Sequence, residues 1–248
     1  MSHHVVEVKD LHFAYPDGTK ALRGVSFRIA HGESVAIIGG NGAGKSTLLQ
    51  HLNGYLMPQH GEVQIGEVVL TRATAATIRR SVGAVFQDAD DQLFMSTVFE
   101  DVAFGPLNLG LSAAEVEQRC EAALRRVGMA HLRDRPPYKL SAGEKRAVAI
   151  ATVLAVTPDV LVMDEPSANL DPRGRRRLIE LLQSFEHTKI IATHDLELVV
   201  EVCPRVIVLD HGTIVAQGPA RELLNDEALM LVHGLERPHS LRHSHPHG

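Results

Sequence analysis

Apolar positions along this chain follow two rhythms. Near the start they alternate with polar ones. VVEVKDLHFAY (5–15) and ALRGVSFRIA (21–30) predict two half-buried strands joined by the turn Pro16-Asp17-Gly18. Further on come short runs that are apolar at nearly every position: SVAII (34–38), SVGAVF (81–86), VLVMD (160–164), KIIAT (189–193) and RVIVLD (205–210). Such runs are buried on both faces, which predicts a parallel sheet covered by helices. VQIGEVVL (63–70) reads as one more strand, and the early alternating strands read as antiparallel.

Helical spacing fills the gaps. A helix is expected over about 45–53, with Gly54 as its stop. From about 97 to 128 the pattern is helical, with a capping box at Ser112 and Glu115 and an apolar face of Val116, Cys120, Ala123, Leu124 and Val127. LSAGEKRAVAIA (140–151) starts another helix, capped by Ser141 and closed by Glu144, with Ala147, Ala151, Leu154 and Ala155 recurring on one side. The expected fold class is therefore α/β: a mixed, mainly parallel sheet, an antiparallel β subdomain and an inserted α-helical subdomain. The last stretch, HGLERPHSLRHSHPHG, has no periodicity and is expected to be a mobile tail.

Composition narrows the picture only a little. The chain has 248 residues, 44% hydrophobic and 22% charged, with a net charge of -5. That charge argues against a nucleic-acid partner, which needs a basic face. No apolar run approaches the roughly 20 residues of a transmembrane helix, and MSHHVVEVKD has no signal-peptide core. Cys120 and Cys203 lie in apolar patterns without metal-ligand spacing and read as reduced core residues, a cytoplasmic usage.

Three stretches carry chemistry. GGNGAGKS (39–46) matches the phosphate-loop pattern with a strand before it and a helix after it. Gly39, Gly42 and Gly44 let backbone N–H groups face one point. Gly40, Asn41 and Ala43 complete the loop, Lys45 adds a cation for the β- and γ-phosphates, and Ser46, next to Thr47, offers a hydroxyl to Mg²⁺. VLVMDE (160–165) ends a strand with two carboxylates, where open α/β sheets bind ligands. Asp164 is placed for the Mg²⁺ shell and Glu165 to polarise a water. The third stretch is the start of the 141 helix, whose free N–H groups form a second anion site. Gln87 and His194 also follow buried strands; by pattern alone each is either a site residue or a solvated loop residue, and Tyr15 reads as a strand residue.

In this order, the phosphate loop, the Asp-Glu strand and LSAGE resemble the nucleotide-binding subunit of ATP-binding cassette transporters over roughly residues 5–220. The resemblance implies a nucleotide-binding domain over 5–220 with its helical subdomain at about 88–158, and a C-terminal extension over 221–248. It implies ATP as substrate, with Mg²⁺. LSAGE resembles the family signature, SANLD (167–171) its D-loop, Gln87 its Q-loop, His194 its switch histidine and Tyr15 the aromatic that stacks on adenine. Glu165 is then the catalytic base, with His194 and Gln87 beside it; Ser46, Gln87 and Asp164 serve the metal; Ser141, Gly143 and Glu144 contact nucleotide. The family pairs two such domains head to tail, each ATP lying between one phosphate loop and the partner's signature. That accounts for two anion-binding helix starts in one chain.

The chain departs from the family pattern at three positions. Ala142 replaces a signature glycine, which requires an ordinary backbone there. Glu144 replaces glutamine, trading an amide for a charge, and Gly40 stands where proline is common. Hydrolysis is expected to survive with slower pairing. DADDQLFMSTVFEDVAFGPLNLG (88–110) resembles the Q-loop region of cobalt, nickel and energy-coupling-factor importers, especially at Gln92-Leu93-Phe94 and 101–106, where a coupling helix of a membrane subunit docks. His239, His243, His245 and His247 either bind a transition metal or form a solvated, biased end. Together these favour a metal importer, cobalt before nickel, over a vitamin importer, at the cytoplasmic face of the cell membrane (the inner membrane of a Gram-negative cell). A soluble cassette of DNA repair or ribosome function lacks the coiled-coil insertion or basic patch it would need. A metal-handling protein centred on the tail is the third reading.

Overall fold

A computed structural model describes residues 4–242. Two sheets organise it. The first is antiparallel, with strand order β2-β1-β4-β5, built from β1 (His4–Ala14), β2 (Lys20–Ala30), β4 (His60–Ile65) and β5 (Val68–Val69). Alternation decides its faces: Leu22, Val25, Phe27 and Ile29 point inward from β2, while Arg23, Ser26 and Arg28 face out. The 63–70 run is not one strand. The chain turns at Gly66 and Glu67, and β5 folds back to pair Ile65 with Val68. A positive φ of 57° at Gly66 allows the reversal.

The second sheet has the order β10-β9-β3-β8-β7-β6. Its members are β3 (Ser34–Ile38), β6 (Val82–Val85), β7 (Val160–Asp164), β8 (Thr188–Ala192), β9 (Arg205–Asp210) and β10 (Thr213–Pro219). All neighbours are parallel except β9 and β10. The continuous apolar runs divide by strand period. Val35, Ile37, Val160, Val162, Ile207 and Leu209 enter a core shared with the antiparallel sheet; Ala36, Ile38, Leu161, Met163, Val206 and Val208 enter the other core, shared with helices. A strand with no polar face is explained by two cores, one on each side.

Helix α1 (Lys45–Leu52) follows β3, and α2 (Ala75–Ser81) precedes β6. Between β6 and β7 the long elements are helical: α3 (Val98–Asn108), α4 (Ala113–Arg126) and α5 (Ala142–Leu154). The 97–128 pattern is thus two helices, because Gly110 (φ 76°) ends the first and Ser112 caps the second. Capping boxes close at Thr97/Glu100, Ser112/Glu115 and Ser141/Glu144. Asp171 caps α6 (Pro172–Gln183), and α7 (Leu196–Val202) follows β8. Cys120 and Cys203 are buried free thiols, pushed up by burial to about 11 and about 12, and so unreactive.

The C-terminal stretch corrects an expectation. After α8 (Ala220–Asn225) and α9 (Glu227–Val232), residues 233–242 are folded. Leu235 and Pro238 are buried, Leu241 packs on the helical core, the Ser240 N–H donates to Glu197 Oε1 at 3.2 Å, and His239 opens the short helix α10 (His239–Arg242). Burial by tertiary contact holds this segment without any helical period. His243, His245 and His247 lie outside the described residues. Among the described residues no helix is long and apolar enough to cross a membrane.

Candidate functional site

Because β3, β8, β7 and β6 are parallel neighbours, their C-terminal ends bring four loops to one edge of the sheet. The loop after β3 reaches α1 through Gly44, whose φ of 105° suits glycine alone. A Cβ on Gly39 would lie 2.1 Å from the Leu209 carbonyl oxygen, so the loop packs against β9 with no room for a side chain. Lys45 is buried, and its Nζ donates to the carbonyls of Gly39 (2.8 Å) and Gly40 (3.1 Å). Asn41 and Gly42 are exposed at the crest, and Ala43 is buried beneath it. Thr47 points away from the crest toward Tyr15, whose hydroxyl lies 3.0 Å from Thr47 Oγ1 while its ring meets Phe13 edge-on.

Two carboxylates end β7 in different settings. Asp164 is half-buried and hydrogen-bonded to Ser46, and burial pushes its carboxyl above the usual range. Glu165 is buried and stands at a left-handed φ of 45°, a costly conformation for a residue with a side chain. Its N–H donates to the Ala192 carbonyl at 2.8 Å, which fixes it against the end of β8. The carboxylate accepts the Thr193 hydroxyl (2.9 Å) and the His194 N–H (3.1 Å), and His194 Nδ1 lies 2.8 Å from Oε1.

The loop after β6 is tied to α5. Arg146 is buried, and its guanidinium donates to the carbonyls of Phe86 (2.6 Å) and Gln87. Lys145 pairs with Asp90, and Gln92 donates to Ala149 O and Thr152 Oγ1 while accepting the Phe86 N–H. Gln87 itself is exposed. It shares with Ser46, Asp164, Ala142 and Asn169 a cavity of about 840 Å³. The predicted metal set, Ser46, Gln87 and Asp164, therefore lines one cavity, with Glu165 and His194 at the adjacent strand ends.

At the start of α5, Leu140, Ala142, Lys145 and Arg146 line the cavity, while Ser141, Gly143 and Glu144 between them do not. The Ser141 N–H and hydroxyl donate to Glu144 Oε2 (2.7 and 2.9 Å), which holds that carboxyl below its usual value. Ala142 lies inside the helix with no positive φ, so its side chain costs no strain. Four residues that hold the loops of the site carry no sequence signal of that role. Arg146 sits mid-helix and looks like a surface cation, and Thr193 reads as the end of an apolar strand. Asp195 and Arg175 form an ion pair (3.0 and 3.2 Å) behind residues 167–171, and Ser167 also bonds Asp195. Burial alone would raise the Asp195 carboxyl, but Arg175 and the Leu198 N–H hold it low. Residues 167–171 and Gln87 were the available signals, since each marks a loop that needs a neighbour to hold it.

A glycine-rich loop with a buried lysine, facing a strand that ends in a half-buried aspartate and a fixed glutamate, defines a phosphate-loop nucleoside-triphosphate hydrolase. The model of the ABC transporter family matches residues 22–168. A putative ABC transporter ATP-binding protein of Geobacter sulfurreducens is 61% identical over 98% of this chain and 97% of its own length. An energy-coupling factor transporter ATP-binding protein, EcfA, of Carboxydothermus hydrogenoformans is 48% identical over 94% of this chain and 87% of its own. Among solved structures, cbiO1 from Clostridium perfringens, described as part of the ABC transporter complex cbiONQ, matches with a TM-score of 0.82 and 41% identity, covering 93% of this chain and 94% of that one. The dimeric post-hydrolysis state of the ATP-binding cassette MJ0796, bound to ADP and Pi, matches with a TM-score of 0.80 and 28% identity over 87% and 98% of the two chains. The chain belongs to the ABC transporter family and is an ATPase of that family.

Proposed function

We propose that this ATPase energises import of a transition metal, cobalt before nickel, through integral membrane subunits, working as a head-to-tail pair with ATP between two copies. The observation that carries the importer reading is the surface beside Gln87. Phe94 and Phe104 stack edge-on at 5.1 Å and stand exposed with Phe86 and Leu107. Buried Asp101 fixes that surface by accepting the N–H groups of Phe94 and Met95. An exposed aromatic patch on a rigid base suits an apolar partner helix. Phe94, Phe104 and Leu107 lie in the 88–110 segment, which is expected to meet the membrane subunits. The cbiONQ and EcfA relatives support the same placement, peripheral at the cytoplasmic membrane face and at the inner membrane of a Gram-negative cell. A vitamin importer of the energy-coupling-factor type is the alternative.

In the mechanism, ATP phosphates lie on the N–H groups of residues 39–46 with Lys45 neutralising charge, and Tyr15 meets the adenine. Ser46, Asp164 and Gln87 would hold Mg²⁺, which supplies charge neutralisation at the β- and γ-phosphates; their shared cavity and the Ser46–Asp164 contact fit that ion. Glu165, held by Thr193 and His194, accepts the proton of the attacking water. The start of the partner's α5, at Ser141, Gly143 and Glu144, closes the site and excludes water, which strengthens the remaining contacts. Hydrolysis removes the bridge and lets the copies part. The test is co-purification with membrane subunits followed by uptake of radioactive cobalt and nickel in competition. Cobalt uptake that nickel competes for is the expected result; uptake of neither metal with the complex intact overturns the metal reading.

A further inference from the structure

Among the described residues, one set of three metal-ligating side chains converges: Asp10, His12 and His60, all exposed on the antiparallel sheet. His12 of β1 and His60 of β4 are direct partners in the strand register, and the pairing slips between Lys9 and His12. Asp10 stands in that slip at a φ of 44°, its N–H turned away from the ladder to the Ser26 hydroxyl at 2.8 Å. Gly61 opposite makes room, since a Cβ there would lie 2.1 Å from the Asp10 carbonyl oxygen. The bulge is thus built into both strands.

The Asp10 carboxylate lies against both rings. His12 Nε2 is 2.9 Å from Oδ1 and His60 Nδ1 is 3.5 Å from Oδ2. The rings stand perpendicular with centroids 5.3 Å apart, and the three ligand atoms all fall within 4.8 Å of one another. His12 Nε2 and Asp10 Oδ1 are hydrogen-bonded in the ion-free site; a tetrahedral ion with bonds of about 2.1 Å keeps its ligands about 3.4 Å apart, so small side-chain rotations from a set already within 4.8 Å would seat it. Two imidazoles and one carboxylate suit a first-row transition ion and not Mg²⁺ or Ca²⁺, which take oxygen ligands. We propose that Asp10, His12 and His60 form a binding site for a divalent transition-metal ion of the Co²⁺, Ni²⁺ or Zn²⁺ type, clamping β1 to β4. Its three residues lie outside the cavity lined by Ser46, Gln87 and Asp164, and the site does not depend on what the transporter carries.

The test is Co²⁺ titration of the full, nucleotide-free chain, followed by visible d–d absorption. The tail also carries histidines, so a parent with His239, His243, His245 and His247 all changed to Ala isolates this site. That parent is expected to bind one Co²⁺ with a tetrahedral spectrum. Adding His12→Ala and His60→Ala is expected to weaken binding by at least about 10–100-fold, with ATP hydrolysis and circular dichroism unchanged. Asp10→Asn, which tolerates the positive φ, supplies a second variant with the bulge kept and is expected to weaken binding likewise. A Co²⁺ curve in both variants that matches the parent, or a parent that gives only a weak octahedral signal, overturns the site.

Discussion

His194 Nδ1 lies 2.8 Å from Glu165 Oε1, across the ends of neighbouring parallel strands. The two partners are unequal: the glutamate is buried and held by its own backbone, while the histidine side chain is 69% exposed. The glutamate is thus the fixed member and the histidine the exposed one, and in the proposed mechanism it is the histidine that turns toward a phosphate. In that mechanism the fixed Glu165 carboxylate is the group that takes the proton from water.

Glu165→Gln keeps the shape of that grip, because an amide oxygen can still accept the Thr193 hydroxyl and the His194 N–H. ATP binding is expected to persist while turnover falls by about 10²–10⁴, the usual worth of a general base. Phosphate release and nucleotide binding, measured on the same preparation, check both halves. Near-normal turnover would remove Glu165 from the role.

Arg146 connects α5 to the loop after β6 by donating to two backbone carbonyls from a buried position. Arg146→Met keeps the stem and removes the donors, at an expected cost of about 1–3 kcal/mol. Hydrogen exchange across residues 86–92 is expected to speed up, and turnover to fall more than ATP affinity. Unchanged exchange in that segment would mean the loop is held by something else.

Asp164 is pushed above the ordinary carboxylate range by burial, so its charge weakens the nucleotide-free fold. Asp164→Asn is expected to raise the melting temperature of the nucleotide-free protein while abolishing Mg²⁺-dependent hydrolysis. A variant less stable than the parent at neutral pH would mean that attraction to Lys45 outweighs the desolvation.

Glu144 is held below 4.5 by hydrogen bonds from the Ser141 N–H and hydroxyl. A depressed carboxyl stabilises the fold above its unfolded value and loses that contribution as pH falls through the folded value. Compared with Glu144→Gln, the parent is therefore expected to be more stable at neutral pH, with the advantage shrinking below 4.5. Urea midpoints measured against pH check this; a difference constant from neutral to strongly acidic pH contradicts it.

Much of this architecture is written in local pattern. SVAII, VLVMD, KIIAT and RVIVLD announce themselves because both faces of the central sheet are covered. Capping at Ser112 and Ser141 is legible because Ser, two intervening residues and Glu suffice. The misreadings have tertiary causes. β10 escapes because it is a half-exposed edge strand, and β4 and β5 merge because a two-residue turn leaves no break in the apolar run. The 233–242 stretch looks unstructured because Leu235 and Pro238 are buried by distant elements, not by a period. The site divides in the same way. The glycine loop and Asp164-Glu165 are contiguous and visible, while Arg146 and Thr193 depend on contacts that no window of sequence displays.

In the proposed function two copies of this chain pair around bound ATP. Sedimentation of Glu165→Gln with Mg²⁺ and ATP measures that pairing most directly. A particle of about twice the 27.0 kDa chain mass is expected, reverting to a single chain when ATP is removed or when Ser141→Arg is added. A particle of single-chain mass under saturating ATP, together with full-speed hydrolysis by the parent at high dilution, contradicts it.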